Sequence, residues 1–205
     1  MRLISSDTSV WIDFSTIDLI ETPFRLKDRY TFTMSGEAMD SELLTPDISA
    51  DYLMSLGLVR VDLTETELSS AMTFGDRYIR LSFNDRIAMA IAKNRDMILL
   101  TSDGPLRKAA ESEGIEVHGT IWIVDELKAN EKISVQEYEN ILTGLLAHCG
   151  KGVRLPVNEL QKRIDVLKNV TEDALDEADL YAGSHTERMT HDEVFSGITN
   201  ILTEV

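Results

Sequence analysis

The sequence predicts an α/β protein built on a parallel sheet. Two observations carry that expectation. Short apolar segments near residues 3–6, 58–63, 97–101 and 115–117 alternate with helical stretches of about 10–15 residues, the pattern of βαβ units. Helix starts are also marked by Ser or Thr followed three residues later by an acid, at Thr64 to Glu67, Ser82 to Asp85 and Ser134 to Glu137.

Taken in order, Leu3-Ile4 opens a first strand that ends at Asp7, and Thr8 to about Ile20 has helical apolar spacing. Residues 21–35 fit either periodicity. Leu58 to Leu63 alternates with period two, as a half-buried strand does, and Thr64 caps a helix running to about Phe74. Ser82 caps an Ala-rich helix, after which Met97 to Thr101 reads as a buried strand. A helix from Pro105 to about Glu113 stops at Gly114. Ile115 to Val117 reads as a strand, and Ile121 to Val124 as a strand or the opening of a helix. Beyond residue 125 the pattern is helical, broken at Gly150 and Gly152 and restarted at Pro156.

The chain has 205 residues, 43% hydrophobic and 27% charged, ordinary for a water-soluble globular protein. No apolar run approaches the roughly 18 residues of a membrane helix, and Asp7 and Asp13 interrupt the N-terminal stretch, so no secretory leader is read there. Cys149 stands alone, which excludes a disulfide framework. A cytoplasmic protein without a membrane partner is the expectation. The net charge of −16 argues against a broad basic face for nucleic acid. Residues 166–205 hold nine acids against Lys168 and Arg188, a net −7 that leaves −9 for residues 1–165.

Asp7 follows the first strand and Asp103 the strand at 97–101, and ligands of parallel sheets bind beyond the carboxyl ends of strands. Asp85 lies in the first turn of the helix leaving that same edge, where a carboxylate is favoured. Three converging carboxylates repel one another, and a hard divalent cation such as Mg²⁺ or Mn²⁺ relieves that repulsion. Each acid alone also reads as a cap, a first-turn acid or a turn residue; their joint placement is what favours a metal. Arg107 and Lys108 suit either a substrate phosphate or a solvated helix face, and Asp13 and Asp125 read as structural. His118 and His191 have no partner at metal-ligand spacing, and Trp11 and Trp122 suit a core or interface.

The segments "SSDTSVWID" at 5–13, "LSFNDRIAMAIAKN" at 81–94 and "LLTSDGPLRKAAESEGIEVHGTIWIVDEL" at 99–127 closely resemble a PIN-domain nuclease, in particular the toxin half of VapBC toxin–antitoxin pairs. The resemblance covers about residues 1–165. It implies a three-layer α/β/α sandwich and RNA cleavage by an acidic cluster that holds Mg²⁺ or Mn²⁺, in a chain that forms a homodimer. Asp7, Asp85 and Asp103 match the family's acids, and its fourth falls best on Glu42 in "AMDSELLTP", with Glu37 and Asp40 nearby. Thr101 and Ser102 fall where the family has a hydroxyl lining the site, Asn84 flanks it, and Arg107 is a candidate for the substrate.

Residues 166–205 form an acidic helical segment that resembles the C-terminal tail of an antitoxin. A toxin-like nuclease carrying its own inhibitory tail is one expectation, with Arg188 as a candidate contact to the acids; a solvated helical appendage packing through one apolar stripe is the other. The competing reading of the body is a non-catalytic PIN-like scaffold. A phospho-acceptor receiver domain also gathers acids around Mg²⁺, but "VDLTE" and "ILLTSD" supply no pairing of acceptor Asp and late-strand Lys.

Overall fold

The computed structural model describes residues 1–43 and 48–169. The tail expectations, Arg188 included, lie outside the described residues. Five parallel strands are ordered β3-β2-β1-β4-β5: β1 (Arg2–Ser6), β2 (Tyr30–Ser35), β3 (Val59–Val61), β4 (Ile98–Leu100) and β5 (Val117–His118). The chain winds outward from β1 through β2 to β3, then returns to lay β4 on the other side of β1. A crevice opens at such a reversal, beyond the carboxyl ends of the two strands.

Period-two alternation in β4 makes the three layers. Ile98 and Leu100 enter one core and Leu99 the other, all 1% exposed or less. The first core gathers α1 (Thr8–Thr16), α2 (Gly36–Glu42), α3 (Ala50–Leu56), α7 (Thr120–Ala129) and α8 (Val135–His148). Trp11 stacks on Phe24 at 5.1 Å, meets Phe32 edge-on, and donates from Nε1 to Ser6 Oγ at 3.1 Å. The second core gathers α4 (Glu65–Arg77), α5 (Phe83–Asn94) and α6 (Gly104–Ser112). The alanines of α5 let it lie close on the sheet, where Ser5 Oγ donates to the Ala88 carbonyl at 3.0 Å.

All three capping boxes form, at Thr64, Ser82 and Ser134. The first helix ends at Thr16, short of Ile20, and the chain then turns through Asp18 with φ of 58°. The ambiguous stretch 21–35 resolves into a 3₁₀ turn at Thr22–Leu26 followed by β2. Ile121 to Val124 is helix, the first turns of α7, because Gly119 leaves the short β5 immediately before it. A further helix, residues 157–169, sends Leu160, Ile164 and Leu167 into the first core. No described helix is long and apolar enough to cross a membrane.

Glu67 ties α4 to the end of α5. It is 2% exposed, closes its own capping box, and accepts from Arg95 Nε at 2.5 Å and Nη2 at 2.9 Å. The Arg95 guanidinium holds its carboxyl down at about 2, below the ordinary 4.5. The lowered value means that the pair stabilises the fold above the unfolded-state pKa of 4.5 and is lost as pH falls through about 2. Glu67→Gln is expected to lower stability by about 2 kcal/mol at neutral pH. The gap to wild type should close between about pH 4.5 and 2, read from melting temperatures across that range.

Candidate active site

Asp7 sits where β1 becomes α1. Its N–H continues the sheet by donating to Leu100 O at 2.9 Å, and its Oδ1 caps α1 by accepting from Thr8 N at 2.8 Å. Its Oδ2 accepts from Ser9 Oγ at 2.6 Å and Thr101 Oγ1 at 2.8 Å, so hydroxyls from both central strand ends orient one carboxylate. Burial pushes the Asp7 carboxyl up to about 6; the two hydroxyls oppose that, and the nearby charges of Asp85 and Glu42 add to it.

Glu42 ends α2. It accepts from Thr8 Oγ1 and, at 2.6 Å, from Asn84 Nδ2, which bridges α5 to α2. The neighbouring candidates on that helix point elsewhere: Asp40 forms a two-pronged bond with Arg60 at 2.7 Å, and Glu37 is exposed in the first turn. Asp85 is the third residue of α5, and its Oδ2 accepts from Ser82 N at 2.7 Å. Asp103 caps α6 by accepting from Leu106 N at 2.9 Å, while its own N–H donates to Thr101 Oγ1 at 3.0 Å. The second carboxylate oxygens of Asp85 and Asp103 accept nothing from the described residues.

Glu42 and Asp85 are thus both close enough for their charge to act on Asp7, and Thr101 links Asp103 to Asp7. Thr101 is fully buried and Asn84 reaches Glu42, whereas Ser102 looks behind the acids: its Oγ donates to Asp13 Oδ2 at 2.7 Å. Arg107 turns inward to the carbonyls of Thr101 (3.1 Å) and Val117 (3.2 Å), bracing the ends of β4 and β5. His118 stacks on Trp122 at 4.2 Å and its Nε2 pairs with Glu116 Oε1 at 2.9 Å.

Ser9 is a residue that sequence reasoning passed over, and Asp13, read there as structural, holds the wall behind it. Ser9 joins Asp7 to the Ser102 N–H (2.9 Å), and the carboxylate of Asp13, 3% exposed, takes hydroxyls from Ser102 and Thr120. The hydroxyls directly after Asp7 were a legible signal for Ser9. Asp13 carries no local pattern, because both its partners lie about ninety residues or more away.

A family model described as PIN domain matches residues 3–169. The chain belongs to the PIN-domain family. PIN domains are generally nucleases, so this one has a nuclease-type fold. Neither the curated proteins nor the solved structures contain a match to the chain.

PIN domains typically use divalent metals. Among the described residues, no three His, Cys, Asp or Glu side chains stand as a ready-made metal group, since each carboxylate leans on a nearby N–H or hydroxyl. The donor set nevertheless fits a hard cation. It is all oxygen and partly buried, and no Lys or Arg among the described residues forms an ion pair with Asp7, Glu42, Asp85 or Asp103.

A carboxyl raised to about 6 stabilises the fold least when ionised: stability falls as pH rises from the unfolded value of 3.8 through about 6, then levels. In chelator at pH 7, Asp7→Asn should melt a few degrees above wild type, and the difference should vanish near pH 4. Added Mn²⁺ should raise the melting temperature of wild type and leave that of Asp7→Asn nearly unmoved.

Proposed function

We propose that this PIN domain is a Mg²⁺- or Mn²⁺-dependent endoribonuclease of the VapC toxin type, with Asp7, Glu42, Asp85 and Asp103 as metal ligands. One observation carries the reading: at the end of β1 the Asp7 carboxylate feels the charges of Glu42 on α2 and Asp85 on α5, and among the described residues no Lys or Arg forms an ion pair with any of the three. Asp7, Glu42, Asp85 and Asp103 would hold the divalent ion, which would supply positive charge against the phosphodiester and ease deprotonation of a water. The protein's own part is positional. Ser9 and Thr101 hold the Asp7 carboxylate, Thr8 and Asn84 hold Glu42, and the backbone N–H of Ser82 holds Asp85. The N-termini of α5 and α6 both open on this edge, and their partial positive charge favours the phosphate that the carboxylates would repel.

Residues 166–205 are proposed as an antitoxin-like partner in cis, its acids competing with RNA phosphates and Arg188 answering the carboxylates. A homodimer in the cytoplasm is the proposed working form. Because Leu167 packs in the first core, a deletion that spares the body must keep residues through 169.

The test is cleavage of single-stranded RNAs by the full chain and by a 170–205 deletion, with and without Mn²⁺. Metal-dependent cleavage is expected, faster in the deletion. Asp85→Asn keeps an acceptor for the Ser82 N–H yet should lose more than the roughly 100-fold that removing an outer-shell partner costs. A folded deletion that cleaves no RNA with Mn²⁺ bound would sink the nuclease reading, and equal rates in the two chains would sink the inhibitory tail.

A further inference from the structure

A groove of about 510 Å³ runs between the turn joining α4 to α5 and the first turn of α6. It begins one residue from the candidate active site on both banks, since Leu81 precedes Ser82 and Gly104 follows Asp103. In a chain of net charge −16, its lining is cationic: Arg77, Arg80 and Lys108 face it and no Asp or Glu does. Arg77 shares one carboxylate, Glu113, with Lys93, so a single negative charge answers two positive ones. Arg80 and Lys108 are exposed and have no ion-pair partner among the described residues.

Ile79, Leu81, Pro105 and Ala109 add apolar lining to the same groove. The Ile79 side chain is 86% exposed, an arrangement water disfavours unless something covers it. Beside it the ring of Tyr78 is half-buried and anchored, because its hydroxyl donates to Glu113 Oε1 at 2.9 Å and the ring leans on Phe74. An anchored aromatic next to unpaired cations suits a single nucleic-acid strand, whose bases need a flat apolar contact and whose phosphates need positive charge. A volume within the roughly 300–1,000 Å³ of small-ligand sites suits about one or two nucleotides better than a duplex.

We propose that this groove carries the segment of single-stranded RNA flanking the scissile phosphate, with Arg80 and Lys108 on its phosphates and Tyr78 and Ile79 against its bases. The assignment rests on the nuclease reading for the identity of the strand, but binding can be measured without cleavage. Specificity for single strands then originates on the α4–α5 turn, outside the acid cluster.

The experiment is fluorescence anisotropy of a labelled mixed-sequence RNA, single-stranded and as a duplex, titrated with the full chain in chelator at several salt concentrations. Wild type is expected to bind the single strand more tightly. The double variant Arg80→Ala/Lys108→Ala should bind it on the order of tenfold more weakly, with the slope of log K against log salt reduced by about 1 to 1.5. Ile79→Ser should weaken binding without changing that slope. Mn²⁺ affinity by calorimetry and the melting temperature should be unchanged in both variants. An unchanged affinity and slope in the folded double variant, or equal binding of the duplex, would overturn the groove assignment. Failure of the nuclease reading would look different: no cleavage by wild type with Mn²⁺, whatever the anisotropy shows.

Discussion

Asp7 is asked to do two incompatible things, and much of the structure follows from holding it there. Its backbone completes the pairing of β1 with β4, and its side chain starts α1, so it cannot move away from the sheet edge. At that edge its carboxylate is desolvated and faces Asp85 and Glu42, which raises its pKa to about 6. Hydroxyls from Ser9 and Thr101 soften the penalty without removing it. An acid kept in such a place, with repelling neighbours and no basic partner among the described residues, carries a cost that a bound cation would relieve.

The surrounding fold keeps those carboxylates in position at low conformational cost. Each sits at a helix end whose cap geometry is set locally: Asp7 before α1, Asp85 within the Ser82 box, Asp103 before α6. Two separate apolar cores then clamp the helices to opposite faces of one sheet, so the caps inherit the sheet's rigidity. Behind the acids, Asp13 gathers the Ser102 and Thr120 hydroxyls, and Arg107 pins the carbonyls of Thr101 and Val117. These buried polar contacts hold the ends of β4 and β5, the strands that carry the crevice's second wall.

Charge is distributed just as unevenly as polarity. Arg2, Arg25, Arg60, Arg95 and Arg163 each hold a carboxylate, so much of the positive charge is neutralised where it stands. The groove at Arg80 and Lys108 departs from that pattern, since neither pairs with a carboxylate among the described residues. A polyanion approaching an acidic protein is repelled at long range, and a local cationic track next to the acids gives it a defined way in.

The sequence by itself determined four of the five strands and most helix starts, and it put three candidate acids at strand ends and a first turn. Helix starts were legible because capping boxes at Thr64, Ser82 and Ser134 are local hydrogen-bond patterns, and Asp7, Asp85 and Asp103 were legible because strand ends and first turns are local features too. The parallel α/β class and the PIN resemblance came from the same local patterns, and the described fold and family match agree with both. What residues 121–124 become was decided only in three dimensions, and so were the partners that separate Glu42, the acid the resemblance favoured, from Asp40. Glu42 meets Thr8 and Asn84 while Asp40 is drawn off by Arg60, and those partners are about 20 to 42 residues away. The same holds for Arg107, which looked free in sequence and is committed to two backbone carbonyls, and for Arg80, which carried no signal until the fold placed it beside Lys108. Local hydrogen-bond patterns announce themselves in a sequence; contacts between distant segments exist only after packing has selected one arrangement of the layers.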